Sequence, residues 1–184
     1  MSMIIDGTNG LTFNNATTQA SAGLVVGTAS AITSGTAVAS TSGTSIDFTS
    51  IPAWVKKITV MVAGISTNGT SLIQIQVGSG SVSTSGYASQ ASASTSASGV
   101  VTTGLVIVQQ MAAVQTYSGV AVLTLLGSNT WVCFGYLAYV VATSTGPSFG
   151  GTTPALGGAL DRVRITTVNG TDTFDAGSIN ILYE

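Results

Sequence analysis

The stretch WVKKITVMVAGISTNGTSLIQIQV, residues 54–77, decides the fold class. Apolar residues alternate with their neighbours over residues 54–65 and again over residues 71–77, and side chains of a β-strand point to opposite faces in turn. This period of two predicts two β-strands, with Gln74 and Gln76 on an outward face. Ile73, Ile75 and Val77 are expected to face the core. The first strand is apolar on both faces, with Ile58, Val60 and Val62 on one and Met61, Ala63 and Ile65 on the other.

The segment between these two runs contains Asn68-Gly69, and Asn-Gly tolerates the positive φ angles of the tight turns that join paired strands. The sequence therefore predicts a β-hairpin here. A second Asn-Gly pair, Asn169-Gly170, predicts another turn near the end of the chain.

Further short runs of Val, Ile, Thr and aromatic residues extend this pattern in both directions, with Gly, Ser and Asn between them. No stretch shows sustained helical periodicity. We therefore predict an all-β protein, an antiparallel β-sandwich of jelly-roll-like type with an extended N-terminal arm. The predicted strands are a short one around Ile46 and Phe48, then 105–111, 120–126, 131–141, 162–168 and 178–183.

The strand predicted at 131–141 is apolar on both faces. Trp131 and Cys133 alternate with Val132 and Phe134, so either face would bury large side chains. A strand of this kind has to be covered on both sides. We expect this strand, or the one at 120–126, to lie near contacts between subunits.

Two segments read as loops. Residues 78–103 are rich in Ser and Ala and predict a long loop or a weak edge region, and residues 143–159 contain Pro and Gly and predict a long surface loop. Tyr87 and Phe149 lie in these segments and are candidates for surface contact with a sugar or a protein. Packing within the loops is the alternative for both.

The first 35 residues are expected to form an attachment and oligomerisation arm, and residues 36–184 the β-sandwich domain. The arm has too few apolar residues for a core of its own, so another chain or another part of a particle would have to order it. Its candidate attachment residues are Ile4, Ile5, Leu11 and Phe13. A frayed terminus is the alternative.

Charge is scarce: 5% of the residues are charged, and the formal net charge is −2. Four Lys and Arg residues cannot form the basic surface that releases counterions from nucleic acid, so no nucleic-acid partner is expected. The longest apolar run, 131–142, is too short for a spanning helix, which needs about 20 residues, so no membrane insertion is expected. The start lacks the features of a secretory signal, so no export is expected.

The chain offers few of the side chains that enzymes use for catalysis, because it has no His and a single Cys. Cys133 is expected to be a buried small hydrophobe. Asp172 and Asp175 could accept hydrogen bonds in a turn or pair with arginines, help to bind a hard cation, or serve as a carboxylate pair; the first interpretation is favoured. For Lys56 and Lys57 a solvated strand end is favoured over ligand binding. We therefore assign no catalytic residue, metal ligand or cofactor, and expect no enzyme.

Residues 4–15, IIDGTNGLTFNN, resemble the short N-terminal arm of tailed-bacteriophage fibre and virion-tip proteins. Residues 42–60, SGTSIDFTSIPAWVKKITV, and 161–184, DRVRITTVNGTDTFDAGSINILYE, resemble the two ends of the β-rich domain that follows in such proteins, with GSNTWVC at 127–133 between them. Together these stretches cover roughly half of the chain.

This resemblance implies a virion structural protein, usually a homotrimer, that attaches through its N-terminal arm and presents a β domain outward. The expected partners are further copies of the chain, other virion proteins bound by the arm, and a glycan or protein of the host cell surface. The expected location is the virion, assembled in the host cytoplasm. Two alternatives are kept: a capsid decoration, cement or head-fibre protein, and, more remotely, a polysaccharide-degrading enzyme.

Overall fold

The computed structural model describes residues 4–6, 10–12, 18–19, 32–93, 96–109, 112–139 and 146–184. All helix or strand structure in these ranges is β-strand, as the sequence predicts. The chain divides into two compact units, Met1–Ala31 and Ile32–Glu184. Residues Thr33–Ser34, which the sequence assigned to the arm, form a strand of the second unit.

The first unit contains a three-stranded antiparallel sheet in the order β1-β2-β3. Its strands are β1 (Ile4–Asp6), β2 (Gly10–Thr12) and β3 (Thr18–Gln19). The strands of the second unit are β4 (Thr33–Ser34), β5 (Val38–Ala39), β6 (Ser45–Phe48), β7 (Lys57–Thr67), β8 (Ile73–Ser79), β9 (Ser81–Val82), β10 (Ala88–Ala93), β11 (Ser96–Ala97), β12 (Leu105–Val106), β13 (Tyr117–Gly127), β14 (Thr130–Tyr139), β15 (Ser148–Thr152), β16 (Arg162–Thr167) and β17 (Phe174–Tyr183).

The second unit is built from two antiparallel sheets, which confirms the predicted β-sandwich. The large sheet has nine strands in the order β11-β10-β15-β14-β13-β7-β17-β4, with β5 also paired to β17. The small sheet has five strands in the order β12-β8-β16-β6, with β9 also paired to β8. The pairs β7–β17, β8–β16, β10–β15 and β13–β14 are nested within one another along the chain, as in a long hairpin rolled into a jelly roll.

One hydrophobic core lies between these two sheets. The predicted inward residues of β8 are all buried, and so are Val163 and Ile165 of β16. In β7, Ile58, Val60 and Val62 form the buried face. The largest fully buried side chains come from both sheets and their connections: Tyr117, Phe174, Ile58, Ile65, Ile73, Ile75, Leu105, Ile107, Leu123, Leu137, Ile165 and Ile179. Burial of alternate side chains thus accounts for the period of two in the sequence.

The hairpin predicted at Asn68-Gly69 is wrong. β7 pairs with β13 and β17 in the large sheet, whereas β8 pairs with β12, β16 and β9 in the small sheet. Residues 68–72 therefore cross from one sheet to the other, and neither Asn68 nor Gly69 has a positive φ. Gly69 is needed for a close approach instead, because a Cβ there would overlap the Asp172 carboxylate.

The tight hairpin of the large sheet joins β13 to β14 through Ser128-Asn129. These two residues have φ angles of 47° and 58°. Positive φ at both central positions is the mark of the type I′ turn, whose twist matches that of the strands that it joins. The Asn and Ser at these positions supply the chemistry that the sequence interpretation assigned to Asn68-Gly69.

The long surface loop predicted at residues 143–159 is also wrong in part. It contains β15 (Ser148–Thr152), which lies between β10 and β14 in the large sheet. One glycine of β15 allows close contact, since a Cβ at Gly151 would overlap Ala88 and Ser89 of β10. The Gly-rich composition therefore reflects tight strand packing. The segment 78–103, predicted as a loop or weak edge region, contains β9 of the small sheet and, in the large sheet, β10 and the edge strand β11.

Candidate functional site

The outward side of the large sheet carries large apolar side chains. We call Met61, Val120, Val122, Val132, Phe134 and Tyr136 the apolar face. They come from the central strands β7, β13 and β14, and cross-strand register places Val120 opposite both Tyr136 and Met61, and Val122 opposite Phe134. Phe134 is 61% exposed, Tyr136 52% and Val120 42%. The inward residues of the same strands, such as Cys133 and Leu137, are buried. Both faces predicted to be apolar are therefore apolar, and the described part of the second unit covers only one of them.

The apolar face also lacks charge at its centre. No Asp, Glu, Lys or Arg occurs in β10, β13, β14 or β15. The charged pair at one end is Lys57 of β7 with Glu184 after β17, joined by an ion pair. Ile32, the first residue of the second unit, lines a surface pocket of about 100 Å³ with Thr59 and Leu182 at this end of the sheet. The chain thus enters the sandwich beside the charged end of the apolar face.

The outward side of the small sheet is polar and concave. We call Ser45, Gln74, Gln76, Thr103, Arg164 and Thr166 the polar groove, which has a volume of about 300 Å³. Register sets Arg164 opposite Gln76 and Thr166 opposite Gln74 on the neighbouring strand β8. The sequence interpretation placed both glutamines outward, but Gln74 is 1% exposed and Gln76 6%. The segment through Thr103 covers them and closes one wall of the groove.

Hydrogen bonds hold the side chains of the polar groove in place. Gln74 donates to the Thr167 carbonyl oxygen at 3.3 Å and accepts from the Thr103 hydroxyl at 2.8 Å. Gln76 Nε2 donates to the Thr103 carbonyl oxygen at 2.9 Å. The Thr166 hydroxyl donates to the Thr44 carbonyl oxygen at 2.8 Å. Side chains fixed in this way need little further ordering to bind a ligand.

The charge in the polar groove is compensated. Arg164 donates from Nε to Asp47 Oδ1 at 2.6 Å and from Nη2 to Asp47 Oδ2 at 3.2 Å, which is the bidentate geometry that suits a guanidinium and a carboxylate. This pairing raises the pKa of Arg164 above its ordinary value. Arg164 lines the groove and Asp47 does not. The groove therefore presents guanidinium N–H donors whose charge is already balanced.

The two predicted surface-contact residues belong to the core. Tyr87 is 2% exposed: Val77 N–H donates to its hydroxyl oxygen at 2.9 Å, and that hydroxyl contacts the carbonyl oxygens of Ser83 and Val77 at 3.0 and 3.2 Å. Burial raises the pKa of Tyr87 to about 12. Phe149 is 7% exposed, on the inward side of β15. The prediction was wrong for both residues, because composition suggested loops where long-range strand pairing covers the side chains.

The candidate attachment residues lie in the first unit. Ile4 and Ile5 of β1 pair with Thr12 and Leu11 of β2. Phe13 lies outside the described residues. These positions show that part of the arm has β-structure, and attachment through them stays a prediction.

Asp172 makes the turn hydrogen bonds that the sequence interpretation favoured. Its carboxylate accepts from Ser71 N–H at 2.8 Å and from Asn169 Nδ2 at 2.7 Å, and these bonds lower the pKa of Asp172. The adjacent residue Thr173 donates its N–H to Asn68 Oδ1 at 2.9 Å. The crossings β7 to β8 and β16 to β17 are thereby joined at one end of the sandwich.

The two arginines form ion pairs with neighbouring aspartates, and the cysteine is buried in the core. Arg162 pairs with Asp161, and Arg164 with Asp47, so neither arginine pairs with Asp172. Asp175 is exposed. Cys133 is buried as predicted, and burial raises the pKa of its thiol to about 12. Within the described ranges, no three His, Cys, Asp or Glu side chains converge as metal ligands would, and no helix is long and apolar enough to cross a membrane.

Comparison with known proteins gives no relative for this chain: no protein-family model, curated protein or solved structure matches it. Its two exposed surfaces, the apolar face and the polar groove, are therefore interpreted from their own chemistry.

Proposed function

We propose that this chain is a non-catalytic structural protein of a bacteriophage virion, a homotrimeric tail fibre or appendage that displays its β-sandwich for attachment to the host surface. The observation that carries the proposal is the apolar face, with Phe134, Tyr136 and Val120 exposed on a sheet that has no charge at its centre. The resemblance of the arm and of both ends of the domain to phage fibre proteins supplies the biological setting.

The apolar face is a contiguous patch, since its residues are cross-strand neighbours. It spans three strands and about five residues along β14, an area of roughly 240 Å² at the usual spacing of strands and residues. Exposed apolar patches of a few hundred Å² on a single chain are often functional.

A second copy of the chain is the partner that this surface suits best. Charged residues are depleted at the centres of protein interfaces, and aromatic residues and Met are enriched, which is the composition found here. The net charge of −2 gives little repulsion between copies. Homo-oligomers usually close by rotational symmetry, and a cyclic arrangement puts Ile32 of every copy at the same end of the assembly. Such an arrangement suits attachment through the N-terminal segment.

The proposal is tested on intact particles of the phage that encodes the chain. A gold-labelled antibody against the second unit, followed by electron microscopy, is expected to mark a few copies on the tail. Hundreds of labelled copies over the head would identify the chain as a decoration protein instead of a tail fibre. Unlabelled particles would contradict a virion role. Release of oligosaccharides from host polysaccharide by the purified chain would contradict the non-catalytic assignment.

A further inference from the structure

We propose that the polar groove is a binding site for a neutral, hydroxyl-rich ligand, a saccharide without charged groups. The inference rests on the proposed function, in which this domain meets a host surface, and it names the ligand class and the residues involved. The site lies on the small sheet, on the opposite exterior from the apolar face.

The groove retains unused hydrogen-bonding capacity on side chains that are already held in place. The Gln76 amide nitrogen bonds to Thr103, while among the described residues no donor reaches its carboxamide oxygen. Thr103 and Thr166 each donate their hydroxyl proton to a neighbour, which leaves lone pairs on both oxygens as acceptors. Arg164 uses two of its five N–H groups on Asp47.

A ligand that satisfies these groups has to both donate and accept hydrogen bonds. The Gln76, Thr103 and Thr166 oxygens accept hydrogen bonds, and Arg164 donates them. A hydroxyl group both donates and accepts, so neighbouring hydroxyls of a sugar ring can bond to Arg164 and Gln76 together, which lie opposite each other on paired strands. A phosphate or sulfate offers acceptors only and would meet the lone pairs of these oxygens. An ammonium group offers donors only, and the Arg164 N–H groups that Asp47 does not use would find no acceptor on it.

The charge and the shape of the groove also favour a neutral ligand. Asp47 balances Arg164, and no other charged residue lines the groove among the described residues. Val168 is the single large apolar residue of this described lining, so the groove lacks the hydrophobic centre that a protein partner needs. A concave, polar surface of about 300 Å³ with its one charge balanced has the size of a small-ligand site.

The test uses the full chain and isothermal titration with glucose, galactose, mannose, N-acetylglucosamine and their short oligomers, with glucuronic acid and glucose 6-phosphate as charged probes. At least one neutral sugar or oligomer is expected to bind with a dissociation constant below about 10 mM. Arg164→Gln is expected to weaken that binding by about tenfold or more, because a hydrogen bond from a charged donor is lost. Thr166→Val removes an acceptor, and is expected to weaken binding by about fivefold.

Arg162→Gln is the matched control, since Arg162 lies two residues away on the same face of β16, pairs with Asp161 and does not line the groove. It is expected to leave the affinity unchanged, and a thermal melt of each variant confirms that it is folded. The inference is overturned if no neutral sugar binds, if a charged probe binds more tightly, or if Arg164→Gln and Thr166→Val both bind like the parent chain. The oligomeric mass and the particle labelling are unaffected by any of these outcomes, so failure here is distinguishable from failure of the proposed function.

Discussion

The exteriors of the two sheets differ although their interiors are alike. Both sheets bury alternating Val, Ile and Leu in one core, as folding requires. Outside, β13 and β14 present Val120, Phe134 and Tyr136 without a charge, whereas β16 presents Arg162, Arg164 and Thr166. Folding of a single chain requires neither the apolar exterior of the large sheet nor the polar exterior of the small one. The difference therefore points to two kinds of partner, a second apolar sheet for one face and a hydrogen-bonding ligand for the other.

The largest effect is expected from a charge placed on the apolar face. Phe134→Glu would bury a carboxylate in a contact between copies, and we expect the dissociation constant of the oligomer to rise by about 1,000-fold, roughly 4 kcal/mol. Sedimentation velocity over a range of concentrations measures it. Val114→Glu changes an equally apolar residue that is 84% exposed in a loop, and should leave the mass unchanged. If both variants change the dissociation constant of the oligomer equally, the apolar face has no special role in association.

The next effect separates the two sides of one strand. In the Phe134→Glu background, where the chain is expected to be monomeric, Leu137→Ala should lower the free energy of unfolding by about 3 kcal/mol, because Leu137 is fully buried. Tyr136→Ala, on the neighbouring outward position, should lower it by less than about 1 kcal/mol. Urea unfolding measures both. Similar losses for the two would mean that the outward residue is covered within the chain.

A smaller effect is expected where the two crossings between the sheets meet. Asp172→Asn removes the anionic acceptor of the Ser71 N–H and Asn169 Nδ2 bonds, and should cost about 1–2 kcal/mol at pH 7. The folded chain lowers the pKa of Asp172, so the stabilisation is present above the ordinary pKa of 3.8 and is lost as the pH falls through the lower folded value.

Parent chain and variant should therefore converge in stability below about pH 3.8. Thermal melts between pH 2 and 7 follow this convergence. Asp175→Asn, at an exposed carboxylate three residues further along, is the control and should change little. A gap between parent and Asp172→Asn that persists unchanged at the lowest pH would show that the carboxylate charge does not matter.

The smallest effect is expected at the turn that joins β13 to β14, the two strands that carry most of the apolar face. Asn129→Ala should destabilise the chain by about 1 kcal/mol, because Ala tolerates a φ of 58° less well than Asn does. Asn129→Gly should be neutral or slightly stabilising. Differential scanning calorimetry distinguishes the two. A stabilising Ala would contradict the primed turn.

The sequence was sufficient for the long alternating strands but not for the Gly- and Ser-rich ones or for strand pairing. Alternation identified the inward residues of β8 and β16 and the two faces of β7, because burial acts on each strand separately. The pairing of β7 with β13 and β17 depends on contacts far apart along the chain, which a local signal such as Asn68-Gly69 does not encode. For the same reason Tyr87 and Phe149 were assigned to the surface, whereas the pairing of β10 with β15 buries both segments.

The two candidate surfaces were visible in the sequence to different degrees. The apolar face was predicted, because Phe134 and Tyr136 break the expected polar alternation within a single strand. The polar groove was missed, since Gln74, Gln76 and Arg164 look like ordinary outward residues until β8 and β16 are known to be neighbours. The signal that could have drawn attention to it is the alternation of polar residues with Val and Ile in two strands, Gln74 and Gln76 in β8 and Arg162 and Arg164 in β16.

Light scattering of the purified full chain at micromolar concentration shows whether copies associate, as the apolar face implies. We expect a mass of about 55 kDa, that of three chains of 18.3 kDa each. A stable mass of about 18 kDa, that of a single chain, would contradict it.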